Sequence, residues 1–500
     1  AMATSKDSNM NFSVPRSYEH FVNGRWMSSS GSEQIECLSP LTQELLTSVP
    51  DATAEDIDVA VAAATTAQLT WADVPAKKRQ ALLEAAADRL VADLDRIAWL
   101  ETANTGKPIR ESRANVLTAA DRLRYYAGAC RVFEGVVVPV TRDITSYGLR
   151  KPLGVVGIIG AWNFPLNMFV GKIAPALAAG NTVVYKPADA TPVTTLEIAA
   201  LLAESLPPGV VNVITGRGET AGAALVAHPG VRKISVTGST ETGRRVMAGA
   251  SRTVKRLTLE LGGKNAQIVF PDADLDRAAQ GILLGAFLNQ GQVCTAGSRI
   301  YAHRQIAQGL KERILALVPR LRIGDPFDAS TRMGTLSTHT HFERVADYIE
   351  LGKREGGRLL CGGHPVKVEQ YPRGLFMAPT LFEGVDAQAR IAREEIFGPV
   401  ATFAEWDDED AMLSEVNGVE QGLAAGVWTS SLSRAHAASQ AVQTGRVWVN
   451  CYNLFPSGAA FGGSKASGFG REDAFETLLD FTEVKNVIVD AAADYRSFYE

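Results

Sequence analysis

From residue 153 onward the chain alternates between apolar runs of strand length and apolar patterns of helical spacing, and no other feature constrains its fold as strongly. "LGVVGIIGAW" (153–162) is a buried strand, and "PLNMFVGKIAPALAAG" (165–180) is a helix that Gly180 ends. "NTVVYKPAD" (181–189) is again a strand. "TPVTTLEIAALLAES" (191–205) predicts a helix with Thr191 as N-cap and Pro192 at its first position. "GVVNVITG" and "RKISVTGS" add two further strands. This βαβα order requires a parallel sheet covered on both faces. In such sheets, ligands bind beyond the carboxyl ends of the strands.

A second alternating block runs from about 265 to 450 and includes "KNAQIVF", "SRIYAH", "LAAGVWTS" and "GRVWVNC". Two segments fit neither block: "VVVPVTRDITSYGLRKP" (136–152) and "LDFTEVKNVIVD" (479–490). Unpaired strands find partners, so these two are expected to pair with each other or across subunits. Residues 51–135 carry helical spacing. Thr53 is a candidate N-cap with Glu55 and Asp56 in the first turn. "KKRQALLEAAADRLVADLDRIAWL" predicts one amphipathic helix with Leu82, Leu83, Ala86, Leu90 and Leu94 on one face.

At 500 residues the chain exceeds what one core holds, so two or three domains are expected. A net charge of −5 offers no basic excess to follow a phosphate backbone, which argues against a nucleic-acid partner. The five cysteines (Cys37, Cys130, Cys294, Cys361, Cys451) are scattered, with no CxxC pair. That argues against a disulfide framework or a cysteine zinc site, and favours a reducing, cytoplasmic compartment. No apolar run reaches the roughly 18 residues of a membrane span. The opening "AMATSKDSNMNFS" lacks the basic patch and apolar core of a secretory peptide, and its first ten or so residues are expected to be mobile.

Several short motifs carry chemistry. "VTGSTETG" (236–243) leaves a strand and enters a helix, so Gly238 and Ser239 stand where free N–H groups suit a pyrophosphate or simply cap a helix. "VVYKPAD" ends a strand with Lys186 and Asp189, able to hold ribose hydroxyls or to form a solvated pair. "LTLELGGKN" places Glu260 at a strand end before Gly262 and Gly263, where burial would make a general base of it. "NQGQVCTAGSR" (289–299) sets Cys294 in a polar, glycine-flanked stretch, unlike the apolar surroundings of a structural cysteine. No histidine flanks it, so a Cys–His pairing has no support. Asn163, in "GAWNFP", has an amide able to face an oxyanion or to shape a turn. "REEIFGP" (393–399) puts Glu394, Glu395 and Phe397 before a Gly-Pro turn. "HTH" (339–341) has no third ligand at sensible spacing, and no metal site is expected.

"GAWNFPL", "VVYKPAD", "VTGSTETG", "LELGGKN", "FLNQGQVCTAGSR", "EEIFGPV" and "FGGSKASGFGRE" occur in this order. Together they resemble the NAD(P)-dependent aldehyde dehydrogenase superfamily, over roughly residues 18 to 490. The resemblance implies a Rossmann-like cofactor domain (12–135 and 153–260), an α/β catalytic domain (261–475) and a small β oligomerisation element (136–152 and 476–494). It implies a homotetramer or homodimer acting on a small-molecule aldehyde. Cys294 would be the nucleophile and form a thiohemiacetal, then a thioester. The Asn163 amide and the Cys294 N–H would hold the oxyanion, and Glu260 would activate water. Trp162, Lys186, Asp189, Gly238, Ser239, Gly262, Glu395 and Phe397 fall at cofactor positions.

Two departures from the family pattern bear on specificity. Asp189 stands where NAD-selective relatives often carry Glu. It keeps the charge that repels a 2′-phosphate, so NAD is the expected cofactor, with NADP not excluded. Gly171 stands where relatives often carry Trp, or Arg in those acting on acidic semialdehydes. With Phe164, Met168, Leu288, Val293, Phe455 and Phe461 it implies a wide, apolar and uncharged passage for a bulky aliphatic or aromatic aldehyde. CoA-acylating relatives tend to lack the glutamate at Glu260. A crystallin-like structural role would not need Cys294, Glu260 and Asn163 together.

Overall fold

The computed structural model describes residues 12–494 and 498–499, so the first ten residues, expected to be mobile, lie outside the described ones. Five strands of an eight-stranded sheet run parallel, in the spatial order Val211–Val213, Thr182–Lys186, Val155–Ile159, Lys233–Thr237 and Arg256–Glu260. Numbered along the chain this is 3-2-1-4-5, so the order reverses between Val155–Ile159 and Lys233–Thr237. A crevice opens at such a switch point. Successive residues of these strands face opposite layers. Val156 and Ile158 enter a core with Leu83, Leu90, Leu123 and Phe169, whereas Val155 and Ile159 enter one with Ile57, Ala60 and Val226. Both faces are therefore covered, which is why these strands read as unbroken apolar runs.

The edges of this sheet come from distant parts of the chain. His20–Val22 and Arg25–Met27 add antiparallel strands on one side, and Gly468–Phe469 pairs antiparallel with Arg256–Glu260 on the other. A second sheet holds six parallel strands in the order Thr380–Glu383, Val400–Trp406, Arg299–His303, Ala266–Val269, Ala424–Trp428 and Arg446–Val449. The two segments outside both blocks pair with each other. Thr482–Asp490 runs antiparallel to Ile144–Pro152, which also pairs with Val136–Pro139. This small sheet leaves Val136, Val137 and Ile488 exposed. Among the described residues no helix is long and apolar enough to cross a membrane.

Two helices differ from the expectation. The amphipathic stretch from Lys77 is two helices, Ala76–Ala92 and Leu94–Thr105, broken at Asp93 (φ −102°, ψ 19°). Asp93 Oδ2 accepts from Arg96 Nε at 2.8 Å. The second helix buries nearly all of its last two turns, and the break re-aims it to do so. The helix expected to start after Thr191 spans Val193–Leu202, with Pro192 in the cap position. Asn104 Oδ1 accepts from Val193 N–H at 3.2 Å, so a distant side chain caps this helix.

Thr53 caps Ala54–Trp71 as expected, and the cap is reciprocal: its Oγ1 accepts from Asp56 N–H, and Asp56 Oδ2 accepts from Thr53 N–H at 3.0 Å. Thr53→Ala removes half of this box and is expected to lower stability by about 1 kcal/mol, read as a lowered urea midpoint.

Candidate active site

The crevice at the switch point is lined by the loops and helix starts at the strand exits. After Lys233–Thr237, Gly238 turns the chain and its N–H donates to Glu260 O at 3.1 Å. Ser239 caps the helix Thr240–Ala250 by accepting from Thr242 N–H at 3.1 Å. The remaining N–H groups of that first turn face the crevice end of the sheet, as an anion site requires. Lys186 closes Thr182–Lys186. Its buried Nζ donates to the carbonyls of Pro187 and Gly216, each at 2.8 Å, and burial pulls its pKa down to about 8. An ammonium has three donors, so a third is left for a ligand. Asp189 Oδ1 accepts from Ala190 N–H at 2.9 Å.

Cys294 enters from the second sheet, on the segment before Arg299–His303. The preceding turn is backbone-constrained: Asn289 (φ 48°), Gln290 (φ 57°) and Gly291 (φ 71°) are all left-handed. At Gly291 a Cβ would lie 2.1 Å from Gly398 O, so only glycine fits. Side-chain amides hold this turn in place. Asn289 Nδ2 donates to Asn163 O at 3.0 Å, and Gln290 Nε2 to Thr335 O at 2.9 Å. Gln292 Oε1 accepts from Ser337 N–H at 3.0 Å. Asn163 Nδ2 donates to Gln292 O at 2.9 Å, which leaves its second N–H for an oxyanion. Asn265 Nδ2 donates to the carbonyls of Cys294 (2.8 Å) and Ala296 (2.9 Å). A Cβ on Gly263 would lie 2.6 Å from Cys294 O, so the backbone of 262–263 packs directly beneath Cys294.

Glu260 is buried, and both of its carboxylate oxygens lack a hydrogen-bond partner. Burial, followed by the charge of Glu472, pushes its pKa well above the usual carboxylate range, while Lys172 and Arg471 pull against that. Lys172, itself buried, donates to Ser235 Oγ at 3.1 Å and pairs with Glu472. Burial also pushes the Cys294 thiol up, with Glu260 the largest charge adding to it. Thiol and carboxylate therefore sense each other.

Glu395 is held against the turn after Glu260. Gly263 N–H donates to its Oε1 at 3.0 Å, and a Cβ on Gly262 would lie 2.1 Å from its Oε2. Burial pushes its carboxyl up to about 7. Phe397 is left-handed (φ 63°), an unusual state for a bulky residue. Its carbonyl accepts from His341 Nε2 at 2.7 Å, and Trp162 packs on both rings, 5.2 Å from Phe397 and 4.8 Å from His341. The "HTH" motif thus contributes His341, which braces the Phe397 carbonyl. Burial holds His341 neutral, at a pKa of about 4.

The residues expected to line the substrate passage have charged neighbours. Phe455 and Phe461 pack at 5.3 Å, with Arg446 over both rings at 5.3 Å each. The space a side chain would take at Gly171 is filled by Arg122, whose Nη1 would lie 3.1 Å from a Cβ there. Arg122 Nη2 is 2.7 Å from Asp473 Oδ2. Phe164 packs under Lys107 Nζ at 4.2 Å, and the Met168 sulfur accepts from Ala161 N–H at 3.3 Å. Val293 is buried, and Leu288 begins the turn that ends at Gly291. Asn265, Gln292 and Lys172 lay inside quoted motifs but carried no separate signal. Arg122 lay outside every quoted segment, and Arg446 lay in the strand "GRVWVNC" without a separate signal.

A family model described as aldehyde dehydrogenase family matches residues 26–487. The chain belongs to the aldehyde dehydrogenase family. A putative aldehyde dehydrogenase from Burkholderia cenocepacia is 43% identical, over 96% of this chain and 99% of its own, with TM-score 0.94. PnpE from Pseudomonas sp. WBC-3 is 41% identical over 97% and 99%, with TM-score 0.94. A betaine aldehyde dehydrogenase from Staphylococcus aureus, in complex with NAD+, is 32% identical over 97% of both chains, with TM-score 0.94.

The electrostatic link between thiol and carboxylate in this aldehyde dehydrogenase has a direct readout. Alkylation of Cys294 by iodoacetamide should rise with pH as thiolate forms. Glu260→Gln removes the neighbouring charge that raises the thiol, so the alkylation profile should move to lower pH. An unmoved profile would show that the two groups do not interact.

Proposed function

We propose that this aldehyde dehydrogenase oxidises an aldehyde to the carboxylic acid with NAD+ as hydride acceptor. The observation that carries the reading is the buried, unpartnered carboxylate of Glu260 next to a thiol whose loop is clamped by Asn265 and Gly263. A dinucleotide fits the crevice residues. The helix start at Ser239 suits its pyrophosphate, and Lys186, with a donor to spare, suits a ribose hydroxyl. Glu395, held by the Gly262–Gly263 turn, suits the other ribose. Phe397, braced by Trp162 and His341, supplies an apolar face for the nicotinamide. When bound, NAD+ supplies the acceptor for the hydride that leaves the substrate carbon.

The chain's own residues do the rest. The Cys294 thiolate attacks the carbonyl carbon and forms a C–S bond, and the carbonyl oxygen becomes an alkoxide. The free N–H of the Asn163 amide and the Cys294 backbone N–H stabilise that charge. Loss of hydride leaves a thioester on Cys294. Glu260 then takes a proton from water, the hydroxide attacks the thioester, and the acid departs as the thiolate re-forms. Lys172 and Arg471 favour the ionised form of Glu260 that this step needs. The presence of Glu260 supports hydrolysis over transfer to CoA. The five unpaired cysteines support a reducing, cytoplasmic setting, and the exposed apolar residues of the three-stranded sheet support a homo-oligomer built on it.

Glu260→Gln keeps the shape but cannot accept a proton. A pre-steady-state burst of NADH is expected, followed by turnover slowed about 10²–10⁴-fold, with an acyl adduct on Cys294 by intact-protein mass spectrometry. Undiminished steady-state turnover would remove Glu260 from the mechanism.

Asp189 supports NAD over NADP, because its carboxylate would repel a 2′-phosphate. Asp189→Ser should raise kcat/KM for NADP several-fold. A wild-type enzyme already faster with NADP would show that Asp189 does not face the ribose.

A further inference from the structure

Thr295 follows Cys294 and is held at two points by the segment after the strand Arg446–Val449. Tyr452 Oη donates to the Thr295 carbonyl at 2.8 Å, a buried bond. Thr295 Oγ1 donates to Asn453 Oδ1 at 2.9 Å.

Both partners are themselves fixed. The Tyr452 ring is buried and packs on Trp448 at 4.7 Å. A Cβ built on Gly285, in the helix Leu275–Phe287, would lie 2.8 Å from one edge of that ring. A Cβ built on Gly426, in the strand Ala424–Trp428, would lie 2.8 Å from the other edge. Two glycines thus make a slot for the ring, and the slot aims its hydroxyl. Asn453 is left-handed (φ 53°), a state that asparagine tolerates better than most residues.

The peptide unit joining Cys294 to Thr295 is planar, so its N–H points away from its C=O. Asn265 Nδ2 holds that C=O at 2.8 Å. Tyr452 holds the C=O of the next peptide unit. With both units and the side chain tied, the Thr295 N–H has a set direction, and it donates to the Cys294 sulfur. Burial, and then the charges of Glu260, Glu395 and Glu472, oppose the thiolate, and the Thr295 N–H works against them. A hydrogen bond to the charged form favours that form.

We propose that Tyr452 and Asn453 are positioning residues for the nucleophile, holding Thr295 so that its N–H donates to the Cys294 thiolate. The inference rests on the reading of Cys294 as the attacking group.

The test follows iodoacetamide alkylation of the Cys294 peptide by mass spectrometry across pH. Tyr452→Phe keeps the ring in its slot and removes the hydroxyl. Asn453→Gly keeps the left-handed turn and removes the acceptor. In each variant the alkylation profile should move to higher pH, opposite in sign to Glu260→Gln. Alkylation at neutral pH should fall about threefold to tenfold, part of one hydrogen bond to a charged group. The rate of the NADH burst should fall with it, while KM for NAD+ stays unchanged. Asn453 is half-buried, so Asn453→Gly carries the test by itself if Tyr452→Phe does not fold. A lowered thermal midpoint with an unmoved alkylation profile would make these contacts structural and overturn the proposal. A shifted profile in a protein that oxidises no aldehyde with NAD+ would support the clamp and overturn the aldehyde-oxidising reading.

Discussion

The buried side-chain amide of Asn265 joins three parts of the molecule at Cys294. Its two N–H bonds go to the carbonyls of Cys294 and Ala296, and its oxygen accepts from Ala424 N–H at 3.0 Å, at the start of a neighbouring strand. A buried amide with every role filled is rigid, and losing one partner would leave unpaired polar groups in a dry interior. The segment carrying Cys294 is therefore referenced to the second sheet. Asn289 and Asn163, each bonded to backbone across the crevice, reference it to the first. The site exists because two separately packed sheets are tied at this seam by amides.

Around the seam, charge is buried without full compensation. Glu260 has no hydrogen-bond partner, Glu395 has one, and Lys186 is bonded only to carbonyls. Leaving such groups unpaired costs stability, and native proteins retain them chiefly where chemistry needs them. The left-handed backbone at Gln290 and Phe397 belongs to the same pattern. Each of these groups borders the crevice, and the surrounding amide and aromatic contacts hold it there.

Much of this was legible in the chain. The apolar runs from Val155, Thr182 and Lys233 announced a parallel sheet because strands buried on both faces need no alternation. Ser239, Glu260 and Cys294 were legible because each stands at a strand exit or on a glycine-bounded turn, where ordinary packing does not call for those residue types. The break at Asp93 was not, since local periodicity continues through it and only the packing of the second helix demands it. Arg122 was not either. Its helix position looks solvated in sequence, and it packs over Gly171 only because that residue, on another helix, leaves space for it.

What the sequence determined by itself is the layer order, the strand exits and the reactive residue types, because periodicity, caps and glycine positions act within a few residues of each other. The tertiary structure alone decided which of those residues meet. Cys294 comes from the amino edge of the second sheet and Glu260 from the carboxyl edge of the first, and their mutual effect on protonation depends on burial that both domains create. It also decided what stands over Gly171. A glycine that suggested open, apolar space is covered by an arginine 49 positions earlier in the chain. Side-chain reach across helices comes from packing, and no local pattern records it.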